Sequence, residues 1–326
     1  MKILLIHKGL VPVFAYGGTE RVLWDLTKGL AELGHEPILM VEKGSACDFA
    51  QVIEIEEGRS LQEQVQAVAA DVIHFQFRPD FEAGRPYIIT EHGNTKQSTA
   101  LSKNTVFVSA NHASRYGAEA YVHNGLDWSG YGPVDWQKNR THHHFLGKGS
   151  WPVKNLKGAI QVARSANIRM EVLGGRRLNL SRGFRFTPWP SVRFHGMVGG
   201  SKKLQLLNAS KGMIFPIRWH EPFGLAVIES LYFGCPVFAS PYGALPEIVD
   251  ADCGFLSTKG GELADALRSM SFDPMQCHTR ALEVFNHRNM AQGYLQKYQQ
   301  VMSGQPLNKE APTLPGNGHS LLEWTL

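Results

Sequence analysis

Short apolar runs alternate with amphipathic, helix-length stretches along this chain, and the whole series occurs twice. KILLI, ERVLWDLTKGLAEL, EPILMV, DVIHFQF, PYIITEHG and NTVFVSA make the first series. HHFLG, GAIQVARSA, IRMEVLGG, SVRFHG, KKLQLLNAS, GMIFP and GCPVFAS make the second. Strands that stay apolar along their length are buried on both faces, the condition of a parallel sheet covered by helices. Two doubly wound α/β domains are therefore expected. In the first helix Val22, Leu23, Leu26, Leu30 and Leu33 fall on one face, and Gly34 supplies a stop. The join falls in Asn124 to Thr141, where Gly, Pro, Trp and polar residues replace the periodic pattern. The expected division is 1–135, 136–284, a C-terminal helix over 285–302 able to cross back to the first domain, and a mobile tail over 303–326.

A chain of 326 residues exceeds the usual size of one core, which agrees with two domains. No apolar run approaches the ~20 residues that span a bilayer, and the opening segment is broken by His7 and Lys8 and lacks a small-residue cleavage site. Membrane association is not indicated. Cys47, Cys235, Cys253 and Cys277 are far apart and form no C-x-x-C pair, so free thiols in a reducing, cytoplasmic setting are expected. Charge is unevenly placed. Between Phe145 and Lys203 there are 12 Lys and Arg against the single acid Glu171, so this half should attract an anion. Nucleic acid is not the expected anion, because no zinc-finger spacing or aromatic RNA-binding motif accompanies the charge. His142, His143 and His144 cannot all face one ion from an extended strand, and a structural role is expected for them; no metal site is expected.

In open α/β sheets, ligands bind beyond the carboxyl ends of the strands. Gly17 and Gly18 follow the first strand and precede its helix, where a backbone can approach a phosphate closely. His92 stands at the end of the TEHG strand. Lys148 and Lys154 flank the end of the first strand of the second half and could neutralise a diphosphate. The GKGS stretch is not a P-loop, because the earlier glycine would fall at His142 and Gly149 interrupts the Lys-Ser step. The most informative stretch is HEPFGLAVIES. Pro222 suits a first helical turn, which would leave Glu221 just outside the helix. Glu229 then lies about two turns in. Gly224 leaves room beside the unpaired amides of the first turn, which attract anions.

The stretch EPFGLAVIESLYFGCPVFASPYGALPEIVDADCGFL resembles the donor-site signature of the GT-B glycosyltransferases of family four, including its Glu-x7-Glu pair. GGTERVLWDLTKGLAELGHEP, DVIHFQF, ITEHG, VHNGLD, LGKGSWPVKNLKGAI and VRFHGMVGGSKKLQLLNASKGMIFP match in order, so the resemblance extends to about Phe285. It implies two Rossmann-like domains facing a central cleft. It also implies a retaining, metal-independent transfer of a sugar from a nucleoside diphosphate sugar to an acceptor hydroxyl, on a carbohydrate or another molecule, with no cofactor. A UDP-sugar is the expected donor, with GDP- and ADP-sugars as alternatives. Residue by residue, the resemblance gives Glu229 the ribose hydroxyls and Glu221 the donor sugar, with the amides of Phe223, Gly224 and Leu225 beside it. Lys148, Lys154 and Gly18 take the diphosphate, and His92 becomes an active-site residue of the first domain. A sugar-nucleotide epimerase and a non-catalytic sugar-nucleotide binder are the competing readings; turnover of donor with acceptor separates them.

Overall fold

The first strand, β1 (Lys2–Ile6), is buried from its second residue onward and forms the centre of a sheet. It is followed by α1 (Gly18–Glu32), β2 (Glu36–Val41), β3 (Gln51–Glu54), α2 (Leu61–Ala67), β4 (Val72–Phe75), β5 (Tyr87–Glu91), β6 (Thr105–Phe107) and α3 (Ala110–Arg115). A second series runs β7 (His142–Leu146), α4 (Leu156–Ser165), β8 (Met170–Leu173), β9 (Leu178–Asn179), β10 (Arg185–Phe186), β11 (Val192–Phe194), α5 (Gly200–Asn208) and β12 (Ser210–Phe215). It continues through α6 (Leu225–Tyr232), β13 (Val237–Ala239), α7 (Leu245–Ile248), β14 (Gly254–Leu256), α8 (Gly260–Ser269) and α9 (Pro274–Val284), before α10 (His287–Met302). The structure is a computed structural model and describes residues 1–13, 17–96, 98–180 and 185–326.

The chain divides into two units. Unit 1 is Met1–Trp128 with Val284–Asn317, and unit 2 is Ser129–Glu283 with Gly318–Leu326. Unit 1 holds a six-stranded sheet in the order β3-β2-β1-β4-β5-β6 and unit 2 one in the order β11-β8-β7-β12-β13-β14. Every neighbouring pair in both is parallel. Each is thus the doubly wound α/β sheet expected from the alternating runs. The strand order reverses between β1 and β4 in one and between β7 and β12 in the other, and a crevice opens at such points beyond the strand ends.

Several buried polar side chains in the two cores pair with one another. In unit 1, His74 Nδ1 meets Tyr298 Oη at 2.8 Å and its Nε2 meets Thr90 Oγ1 at 2.7 Å, while Thr90 Oγ1 meets Tyr294 Oη at 2.9 Å. These contacts seat α10 on β4 and β5. In unit 2 the histidine run lies on central β7: His144 bonds Ser210 Oγ at 2.7 Å and Ser230 Oγ at 2.8 Å, His142 bonds Leu206 O at 3.0 Å, and His143 packs edge-on against Phe238. Burial pushes the His144 imidazole down to about 3 and His74 well below its ordinary value, so both are neutral inside.

Several sequence expectations are corrected. β3, β14 and the two-residue strands β9 and β10 were not foreseen. The C-terminal helix expected over 285–302 starts two residues later, at His287, where the Asn286 side chain accepts from the Asn289 amide and caps α10, and the separate helix α9 precedes it. The segment expected as a mobile tail is packed. Leu307, Asn308 and Leu314 are buried, and Asn308 accepts from the Glu119 and Ala120 amides while donating to Lys103 O and Thr105 O. Among the described residues no helix is long and apolar enough to cross a membrane. The four cysteines are free thiols.

Candidate functional site

In unit 2 the segment after β12 turns back at Trp219–Glu221 before α6. Glu221 forms a parallel bridge with Gly243, and its carbonyl accepts from the Ala244 amide at 2.9 Å. The backbone of Glu221 is thereby tied to the Gly243–Ala244 segment. Its carboxylate Oε2 accepts from Lys154 Nζ at 2.5 Å and from Trp219 Nε1 at 2.7 Å. The Lys154 ammonium also lies 5.2 Å from the centre of the Phe215 ring and 5.1 Å from that of Trp219. A cation enclosed by two aromatic faces and one carboxylate is held in place and keeps little freedom to search for other partners.

Lys154 is positioned by the turn that precedes α4. Asn155, at φ 49°, caps that helix by accepting from the Gly158 amide at 3.1 Å, and its Nδ2 donates to Pro216 O at 2.8 Å. One side chain therefore closes the helix start and ties it to the end of β12. Lys148, the other sequence-predicted lysine, lies with its Nζ 5.2 Å from the centre of the Trp151 ring, and Trp151 stands edge-on to Trp219. The end of β7 and the end of β12 thus meet at the reversal point of this sheet.

Pro222 lies outside α6, contrary to expectation, because the helix begins at Leu225 with Gly224 as its N-cap. Gly224 has φ 115°, a conformation that side chains other than hydrogen rarely adopt, and no side chain caps the helix. Phe223 is buried beside this turn. Glu229 is 3 % exposed, and its Oε1 accepts from Lys203 Nζ at 2.6 Å and from Tyr131 Oη at 2.8 Å. The structure thus gives the two glutamates separate partners. Lys203 and Tyr131 were not singled out as site residues; Lys203 was visible only as one charge of a basic stretch, and Tyr131 only as part of the join.

In unit 1, Gly17 is the N-cap of α1 and Gly18 its first residue. A side chain at Gly17 would strike Glu20 Oε2 at 2.6 Å and Val13 Cγ2 at 2.7 Å. His92 follows β5, and its Nε2 meets Gln76 Oε1, just beyond β4, at 2.8 Å. Burial, with a smaller contribution from His7, pushes its imidazole down to about 3. His92 is therefore neutral at ordinary pH and able to accept as well as donate.

Gly243 shows how tightly the Glu221 backbone is held. At φ 67°, it passes so close that a Cβ would lie 2.2 Å from both the nitrogen and the oxygen of Glu221. Gly243→Ala should lower unfolding stability by about 2 to 4 kcal/mol through overpacking and a left-handed backbone. Gly261→Ala, in α8 with open space around the new methyl, is the matched control. Equal urea midpoints for the two variants would refute the close approach.

Comparison with known proteins bears on this region first. Residues 144–273 match the family of group 1 glycosyl transferases. The group 1 match spans β7 through β14 and includes Lys148, Lys154, Glu221 and Glu229. A GDP-mannose-dependent alpha-(1-6)-phosphatidylinositol dimannoside mannosyltransferase of Mycobacterium tuberculosis is 32% identical over 109 residues, covering 32% of this chain and 29% of that protein. Among solved structures, AviGT4, a glycosyltransferase involved in avilamycin A biosynthesis, superposes with a TM-score of 0.75 at 20% identity, covering 93% of this chain and 98% of its own. Anabaena HepE in complex with UDP and glucose gives a TM-score of 0.65 at 19% identity, covering 92% and 99%. These structural likenesses extend beyond the group 1 match to both halves, and the fold is that of the GT-B glycosyltransferases.

Proposed function

We propose that this chain is a retaining glycosyltransferase that moves a sugar from a nucleoside diphosphate sugar to an acceptor hydroxyl, without a metal or other cofactor. The observation that carries the reading is the Lys154–Glu221 pair at the strand-order reversal of unit 2, inside the group 1 match. Lys154 and Lys148 would hold the diphosphate, assisted by the amides of Phe223, Gly224 and Leu225. Positive groups placed where the leaving diphosphate gains charge lower the barrier to its departure. Glu221 would orient the donor sugar, Glu229 would accept from the ribose hydroxyls, and the acceptor hydroxyl would attack from the face the diphosphate leaves. His92 and the Gly17–Gly18 turn are assigned to the same reaction from unit 1. A UDP-sugar is the proposed donor, in keeping with the UDP bound by HepE. The free cysteines agree with a cytoplasmic setting.

The ribose assignment gives the test. A carboxylate accepting from ribose hydroxyls contributes about 1.5 to 3 kcal/mol, so Glu229→Ala should weaken donor binding by roughly 10 to 150-fold. A donor lacking its ribose hydroxyls should bind wild type and variant almost equally. Additive losses would mean that Glu229 serves only its partners Lys203 and Tyr131. Sugar transfer should also persist in EDTA; its abolition, with rescue by a divalent ion, would overturn the metal-independent mechanism.

A further inference from the structure

Unit 2 contains a cavity of about 590 Å³ bounded by the start of α4, the β9–β10 hairpin and the segments around Trp151 and Arg218. Its volume is within the range of small-molecule sites, about 300 to 1,000 Å³. Four cations line it, Lys157, Arg164, Arg185 and Arg218, and no lining residue is acidic. Among the described residues none of the four has a carboxylate within salt-bridge distance. Ordinarily a surface cation is matched by nearby acids or spread among them, so four unmatched cations around one concavity create a strongly positive field.

The wall is built and held. Arg185 donates to Thr187 Oγ1 at 3.0 Å and to Arg176 O at 2.9 Å, while Arg177 donates to Thr187 O and to Val192 O, at 2.6 and 2.8 Å. Arg218 donates from Nε to Leu322 O at 2.8 Å, which leaves its remaining guanidinium nitrogens for a ligand. Arg164 lies flat on Trp189, 3.4 Å from the ring centre. Trp151, Phe186 and Trp189 add aromatic surface to the same cavity. Guanidinium forks match the oxygens of a phosphate, and aromatic faces match the C–H face of a sugar ring.

We propose that this cavity binds a phosphorylated saccharide, at a site separate from the one holding Lys154 and Glu221. The two sites share one loop: Gly149 and Trp151 line the cavity, while Lys148 and Lys154 lie on the same turn. The occupant bears on that loop through Trp151, whose ring stands edge-on to Trp219, the donor to Glu221. The proposal does not depend on the donor assignment, since binding is read without turnover.

Calorimetric titration of the full chain with glucose 6-phosphate tests it. Saturable binding is expected, with glucose and inorganic phosphate each binding at least about tenfold more weakly, because each lacks half of the recognised chemistry. Lys157→Met with Arg164→Met should weaken glucose 6-phosphate by about tenfold or more; neither side chain hydrogen-bonds within the described fold, so the variant should remain folded, as circular dichroism would report. Lys202→Met, at an exposed cation of unit 2 that does not line the cavity, should leave this affinity unchanged. No binding, binding insensitive to the double substitution, or binding lost with Lys202→Met would each overturn the proposal. A preference for uridine monophosphate over glucose 6-phosphate would overturn the saccharide assignment.

Discussion

Acidification from about pH 7 to about pH 5 should cost the protein several kcal/mol of stability, shared between the two units. His74, His92 and His112 in unit 1 and His143 and His144 in unit 2 are held by burial below their ordinary values, His92, His112 and His144 to about 3 and His143 to about 4. An unfolded histidine takes up a proton below about 6.5, whereas these folded ones do not, so stability is complete above that value and is lost as pH falls toward the folded values. Each contributes a loss of about 2 kcal/mol at pH 5. Asp25 acts in the opposite sense: burial pushes its carboxyl up to about 7, so the folded state gains a proton on the way down. That recovers about 2 to 3 kcal/mol and does so in unit 1 alone. Unit 2 has no such offset, and its two histidines carry a loss of about 4 kcal/mol there. Five of the seven tryptophans lie in unit 2, so urea unfolding followed by their fluorescence reports it directly. A flat urea midpoint between the two pH values would disprove the buried, neutral state of these histidines.

Lys154→Met should abolish the proposed activity and destabilise unit 2, and these effects should separate in a double variant. The side chains of Lys154 and Glu221 are 13% and 10% exposed, so removing one partner leaves a largely desolvated charge. Such a loss costs about 3 kcal/mol or more in buried pairs. Adding Glu221→Gln removes the stranded charge and should restore most of the stability. Turnover should stay reduced by at least roughly 100 to 1,000-fold, because the double variant lacks both the cation that stabilises developing charge and the carboxylate assigned to the donor sugar. Equal instability in the single and double variants would show that the pair does not act as a unit. Turnover that recovered together with stability would show that Lys154 is structural.

The sheets were legible because a parallel strand buried on both faces is apolar throughout, as KILLI and EPILMV are. QVIE of β3 was missed because it lies at a sheet edge and its ends are exposed and polar. The Glu221–Glu229 spacing was read directly, since it is set along seven intervening residues. The partners of those carboxylates were not. Lys154 is 67 residues from Glu221, and Lys203 is 26 from Glu229, so only the sheet order brings them together. Pro222 was misplaced because its fixed φ suits a turn as well as a first helical residue. The C-terminal helix expected over 285–302 starts two residues later than expected because Asn286 is its cap and not part of it.

The seating of α10 on β4 and β5 also has a temporal side. The ribosome makes β1 through β6 first, yet the helix whose Tyr294 and Tyr298 satisfy Thr90 and His74 emerges only after β14, α8 and α9 have been made. Until α10 is made, His74 lacks its Tyr298 hydroxyl partner and Thr90 lacks that of Tyr294. Domains completed in order of synthesis can fold one after another as they emerge. Here unit 1 is begun before the main segment of unit 2, Ser129–Glu283, and receives α10 after it, so its native sheet must await the synthesis of α10, and a fragment ending at the join would never receive its closing helix.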